Sequence, residues 1–154
     1  MKKILLLLLA ISSSCFAAEI KLSEADEAKA DRREKAFEDW IPMAENQAQF
    51  DQLTKEENKF PIFSEREYPK IRSLFIEKIP GLAFWTWASM DESALLEQHQ
   101  VCLNEGYVLV ALNTHTGRAG ETRYWATWVN QSREKDVLRE MRRFGLTQAE
   151  IEID

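Results

Sequence analysis

The sequence predicts an α+β fold: two helix–β-hairpin units forming an antiparallel sheet backed by helices, preceded by an N-terminal helical arm. Three observations carry that expectation. From Gly106 to Val129 an apolar run (GYVLVALN) and an aromatic run (RYWATWV) flank the polar THTGRAGET, whose Gly117 and Gly120 permit a tight reversal; this is the pattern of a hairpin with a long exposed loop. Asp91 to Leu103 places Leu95, Leu96, His99, Cys102 and Leu103 along one helical face. A similar order of elements is legible upstream, from Met43 to Ala88.

Composition sets the bounds. The chain of 154 residues is 45% hydrophobic and 30% charged, which suits a folded domain with one core or two small repeated units. Five Trp and eight Phe supply the core, since each ring buries on the order of 150–250 Å².

The first 18 residues read as a cleaved export signal: Lys2 and Lys3, an apolar stretch Ile4 to Ile11, then small residues up to Cys15-Phe16-Ala17-Ala18. The apolar stretch is well short of the roughly 20 residues of a spanning helix. A periplasmic or secreted location follows, with cleavage after Ala17 or Ala18. The rival reading is a lipoprotein acylated at Cys15; Ser12 stands where such signals usually carry Leu, so plain secretion is preferred. Losing Lys2 and Lys3 takes the formal charge from −6 to −8, which makes nucleic acid and anionic membrane surfaces poor partners. Cys102 is then the one remaining cysteine. It has no disulfide partner and reads as a small buried hydrophobe.

Residues 19–42 form a polar helical arm, with Ser23 and Asp26 at capping spacing and apolar contact expected only near Phe37 and Trp40. Residues 43–88 form the first helix–strand–strand unit. It comprises a helix over Asn46–Glu57 with Phe50 and Leu53 inward, a strand at Phe60–Phe63, a helix-like insertion at Glu65–Glu77 and a strand at Leu82–Ala88. Residues 89–130 form the second unit, its helix opened by Asp91 and Glu92. Residues 131–154 form a C-terminal helical segment in which Val137, Leu138, Met141 and Phe144 share a face. Gly145 ends that helix, and Thr147 and Glu150 offer another cap.

The two units share landmarks. Trp40-x-x-Met43-x-Glu45 recurs as Trp87-x-x-Met90-x-Glu92, 47 residues later, and Phe60 and Tyr107 are 47 apart. Thr86-Trp87 recurs as Thr127-Trp128, 41 residues on, so Trp87 and Trp128 are both expected to be buried. In the second hairpin strand, alternation separates Tyr124, Ala126 and Trp128 from Trp125 and Thr127, with one face expected in the core.

Gly106, Tyr107, Arg123, Tyr124, Ala126 and Trp128 follow a helix ending at GY, a strand, a glycine-bearing turn and RYxAxW. In this they resemble the bacterial tandem repeat domain, which also forms the non-catalytic half of polyglycine hydrolases. The first unit resembles it through Phe50-Asp51-Gln52-Leu53 and Phe60-Pro61, but has Lys59 in place of the glycine. The resemblance spans about Met43 to Val129 and implies a binding or scaffolding module, the hydrolases' serine nucleophile lying in a different domain.

Catalytic patterns are sparse. The chain has two histidines, and no HExxH, CxxC, GxSxG, GxGxxG or phosphate loop, so neither a metal nor a cofactor is expected. His99 on an apolar helical face reads as a hydrogen-bonded core residue, and His115 as part of a solvated turn. An exported, non-enzymatic binding protein is the preferred function, an inhibitor or immunity-type partner of another envelope or secreted protein. The alternative is a small envelope hydrolase with an unrecognised site. Two loops are candidate binding segments: Thr114–Thr122, with Thr114, His115 and Arg118 as its binding residues, and then Glu65–Glu77.

Overall fold

The computed structural model describes residues 23–149, and the backbone of β1 (Ile4–Leu5) paired antiparallel with β8 (Glu152–Ile153). The residues that read as an export signal otherwise lie outside the described residues, as does Glu150 of the last proposed cap. Helices and antiparallel strands mix in one α+β body. The strands form two main sheets where one was expected. The first has the order β2 (Ile41–Pro42), β4 (Lys70–Glu77), β3 (Lys59–Glu67); the second has the order β5 (Phe84–Met90), β7 (Thr122–Asn130), β6 (Tyr107–Thr116).

Helix α1 (Glu24–Ala36) starts where the sequence indicates: the Ser23 hydroxyl accepts from the Asp26 backbone N–H at 3.2 Å. None of its residues is fully buried, and it meets the core only at its end, where Ala36 is half-buried against it. It is held at its end by Phe37, which packs on the core, and by Glu34, which receives a two-pronged contact from Arg72 at 2.6 and 3.0 Å. Helix α2 (Asn46–Asp51) continues as a π turn, Gln52–Glu56, and turns Leu53 inward as expected.

The segment Glu65–Glu77 is a correction to the helical reading. Its residues complete β3 and form β4, joined by a two-residue turn at Tyr68-Pro69. Ile71, Leu74 and Phe75 have helical spacing, but only a paired strand satisfies the backbone groups of β3 against the core. Ser64 and Ser73, opposite one another, share a buried hydroxyl bond of 2.7 Å.

The strand foreseen at Leu82–Ala88 is also corrected, in position and in partner. It is β5, shifted to Phe84–Met90, and it pairs with β7 rather than β3, crossing the boundary foreseen at residue 88. Thr86-Trp87 and Thr127-Trp128 are therefore not equivalent places in two units. Thr86 and Thr127 face each other across one ladder, their hydroxyls 2.9 Å apart. Trp87 lies on the edge strand and is 46% exposed, contrary to expectation, whereas Trp128 on the central strand is fully buried.

Strand β7 is covered on both faces, where one had been expected to face solvent. On one side Tyr124, Ala126 and Trp128 pack with Leu95 and Cys102 of α3 (Glu92–Asn104). On the other, Trp125 and Val129 pack with Phe60, Ile62 and Leu74 of the first sheet and with Val137 and Met141 of α4 (Glu134–Arg143). A central strand between two layers reads as a continuous apolar run, which explains YWATWV. Asp91 caps α3 by accepting from Ala94 N–H at 2.8 Å, and Gly145, at φ +69°, follows α4 in the left-handed conformation its ending requires. Cys102 is buried and free, and His99 accepts from the Trp128 indole N–H at 3.0 Å, both as the sequence indicates. No helix among the described residues is long and apolar enough to cross a membrane.

Candidate functional site

Strand β6 continues to Thr116 and β7 begins at Thr122, so the exposed loop is shorter than the foreseen Thr114–Thr122. Only residues 117–121 reverse the chain, held by Gly117 N–H to Glu121 O (2.7 Å) and Gly120 N–H to Gly117 O (3.1 Å). A Cβ at Gly117 would meet the Glu121 carboxylate, which would have to leave its place in the turn.

This turn meets the β3–β4 turn and an irregularity in β5, where pairing with β7 skips from Trp87 to Met90. Ser89, inside that bulge, has φ +58°, a backbone state uncommon for a residue with a side chain. Together the three segments enclose a pocket of about 350 Å³. Arg66, Tyr68 and Ser89 line it from one side, and His115, Arg118, Glu121 and Arg123 from the other, with Met43 completing the wall. The two loops the sequence singles out separately therefore build one site.

Arg66 is its centre. Its Nη1 donates to Ser89 Oγ at 2.6 Å and contacts His115 Nε2 at 2.7 Å. A guanidinium has no acceptor, so Nε2 carries the lone pair and the His115 proton sits on Nδ1. Burial, then the adjacent Arg66 and Arg123 charges, push the His115 pKa down to about 4, so the ring is neutral near pH 7. Burial also lowers the Arg66 pKa, and its Nε is buried without a partner.

Glu121 is occupied. Arg123 Nε donates to its Oε1 at 3.0 Å and Ala119 N–H to its Oε2 at 2.9 Å. Its own backbone N–H, followed by Arg123, holds the carboxyl below its usual range. Arg123 also reaches the Ser89 carbonyl at 3.4 Å. Arg118 is exposed at the rim and makes no ion pair or hydrogen bond among the described residues.

Of the three residues singled out in the sequence, His115 and Arg118 line the pocket. Thr114 does not: it is exposed, pairs with Tyr124, and alternation turns it away from His115. His115 is half-buried in a strand rather than solvated in a turn. Sequence reasoning missed Arg66 because its segment reads as helical; Arg123 reads only as part of RYxAxW, and Glu121 as a member of the Thr114–Thr122 loop with no role of its own. An alternation reading of Ser64, Arg66 and Tyr68 would have put Arg66 on one strand face with the buried Ser64.

Among the described residues no three His, Cys, Asp or Glu side chains gather to hold a metal ion. The arrangement offers positive charge and neutral donors around a small cavity, with a carboxylate already neutralised by Arg123. Comparison of the chain with protein-family models, curated proteins and solved structures yields no match.

Proposed function

We propose that the chain is an exported, non-enzymatic binding protein that engages another envelope or secreted protein through the end of the molecule where the two hairpin turns meet. Inhibition of that partner, or immunity against it, is the form of action this reading favours. The observation that carries it is the convergence of Arg66, His115, Arg118 and Arg123 on one pocket, built on strands that a double core holds in place. In both sheets the strands lie side by side in the chain order first, third, second, which supports reading them as duplicated scaffold units. That is the architecture the resemblance to the bacterial tandem repeat domain implies.

A hydrolase reading has one point in its favour: His115 and a carboxylate share the pocket. The partners of both groups favour binding. The His115 Nε2 lone pair is taken by Arg66, the Ser89 hydroxyl is bonded to Arg66, and Glu121 is paired. A histidine with a pKa of about 4 is also a weak base near neutral pH. The test is purification of the tagged protein from the cell envelope, with identification of what accompanies it. The Arg118→Ala, His115→Asn double variant should keep the native circular dichroism spectrum and retain less partner. Undiminished retention would overturn the assignment of the site.

A further inference from the structure

The charges in the pocket do not balance. Arg66, Arg118 and Arg123 face one carboxylate, Glu121, and that carboxylate is bonded to Arg123. Arg66 meets only neutral acceptors, Ser89 Oγ and His115 Nε2, and its Nε is buried with no partner. A desolvated cation without a counter-charge, and a buried N–H without an acceptor, both cost stability. A fold of net charge −6 has many carboxylates with which to pair its arginines. Here it supplies none to Arg66 or Arg118 among the described residues. On the neighbouring strand β4, Arg72 is matched by both Glu34 and Glu65.

Resting on the binding reading above, we propose that this pocket receives a carboxylate from the partner, either its C-terminus or an acidic side chain, with a neighbouring apolar group seated by Met43 and Tyr68. The guanidinium of Arg118 at the rim makes the first contact and can fork onto both carboxylate oxygens. Arg66, held in place by Ser89 and His115, supplies positive charge from the floor. His115 Nδ1–H is a neutral donor that completes the acceptor's shell. A volume of about 350 Å³ takes one amino-acid-sized group. Carboxylates are the anions that a folded exported protein presents on its own surface and at its chain end, which is why the proposal commits to them over phosphate.

The test uses the full chain and three small probes in titration calorimetry: N-acetyl-L-phenylalanine, its amide, and phenyl phosphate. The acid should bind, the amide about tenfold or more weakly, and Arg118→Gln should weaken the acid about tenfold with the fold unchanged. Three results would each overturn the proposal: no heat from the acid at about 10 mM, equal binding of acid and amide, or phenyl phosphate binding about tenfold tighter than the acid. The two readings fail separately. If Arg118→Gln loses the co-purified partner while the acid does not bind, the carboxylate inference falls and the binding site stands. If the acid binds but partner retention is insensitive to Arg118, the site does not serve that partner.

Discussion

Trp87 and Trp128 each follow a threonine, and local sequence alone assigns them the same role. The structure assigns them opposite ones, so substituting each tests the layering directly. Trp128 is fully buried in a cluster with Leu95, Cys102 and Leu109, and its indole N–H donates to His99 Nδ1 at 3.0 Å. Trp128→Ala should cost about 3–5 kcal/mol, the range for deleting a core aromatic. Within that, leaving the His99 acceptor unpaired accounts for about 1–3 kcal/mol. Trp128→Phe keeps most of the ring and loses the bond, so it should fall near that smaller figure. Trp87, 46% exposed on an edge strand, should lose less than about 1 kcal/mol as alanine. With a urea slope of about 2 kcal/mol per molar, the middle of the usual range, Trp128→Ala moves the midpoint by about 2 M, and Trp87→Ala by no more than about 0.5 M. Equal shifts for the two alanine variants, or an unmoved midpoint for Trp128→Ala, would refute the placement of β7 between two cores.

Acid should destabilise the fold through its two histidines. His99 and His115 both titrate below the ordinary 6.5, His115 at about 4, so between those values the unfolded chain binds more protons. The stability these histidines contribute is complete above about pH 6.5 and is lost as pH falls toward 4. The urea midpoint should be lower at pH 5 than at pH 7.5, and a rise would refute the argument. Arg72 lies 4.2 Å from the Phe37 ring centroid and 4.9 Å from that of Trp40 while bonding Glu34 and Glu65. Arg72→Ala should therefore loosen the arm, and amide exchange in α1 should quicken about tenfold; unchanged exchange would show the arm is held elsewhere. The Cys102 thiol, whose pKa burial raises, should resist a water-soluble thiol reagent until urea unfolds the chain, and prompt native labelling would contradict its burial.

What the sequence made legible follows a physical division. Elements specified by their own residues were read correctly: α1 from its Ser23 cap, α3 from its acidic start and its Leu95, His99 and Cys102 stripe (Leu103, expected on that face, is exposed), α4 from its periodicity and Gly145, and the β6–β7 hairpin from its glycines. Elements whose state depends on a distant partner were not. Ile71, Leu74 and Phe75 suit a helix or a strand, and pairing with β3 decides between them. Trp87 and Trp128 have similar neighbours in sequence, and their burial is set by edge or central position in a sheet. The site divides in the same way. His115 and Arg118 stood out as polar groups beside glycines, whereas Arg66 gains its meaning only from the hairpin it meets.

Arg66 lies 49 residues before His115 and 23 before Ser89, the two groups it bonds. The first hairpin can pair from local contacts, but its arginine stays hydrated until the second hairpin has folded and docked. Closing such separated contacts carries the loop-entropy cost that slows folding. The pocket is consequently among the last parts of the molecule to exist during refolding. A ligand that requires it would see only completed chains, and the recovery of binding after dilution from urea should lag behind the recovery of helical signal.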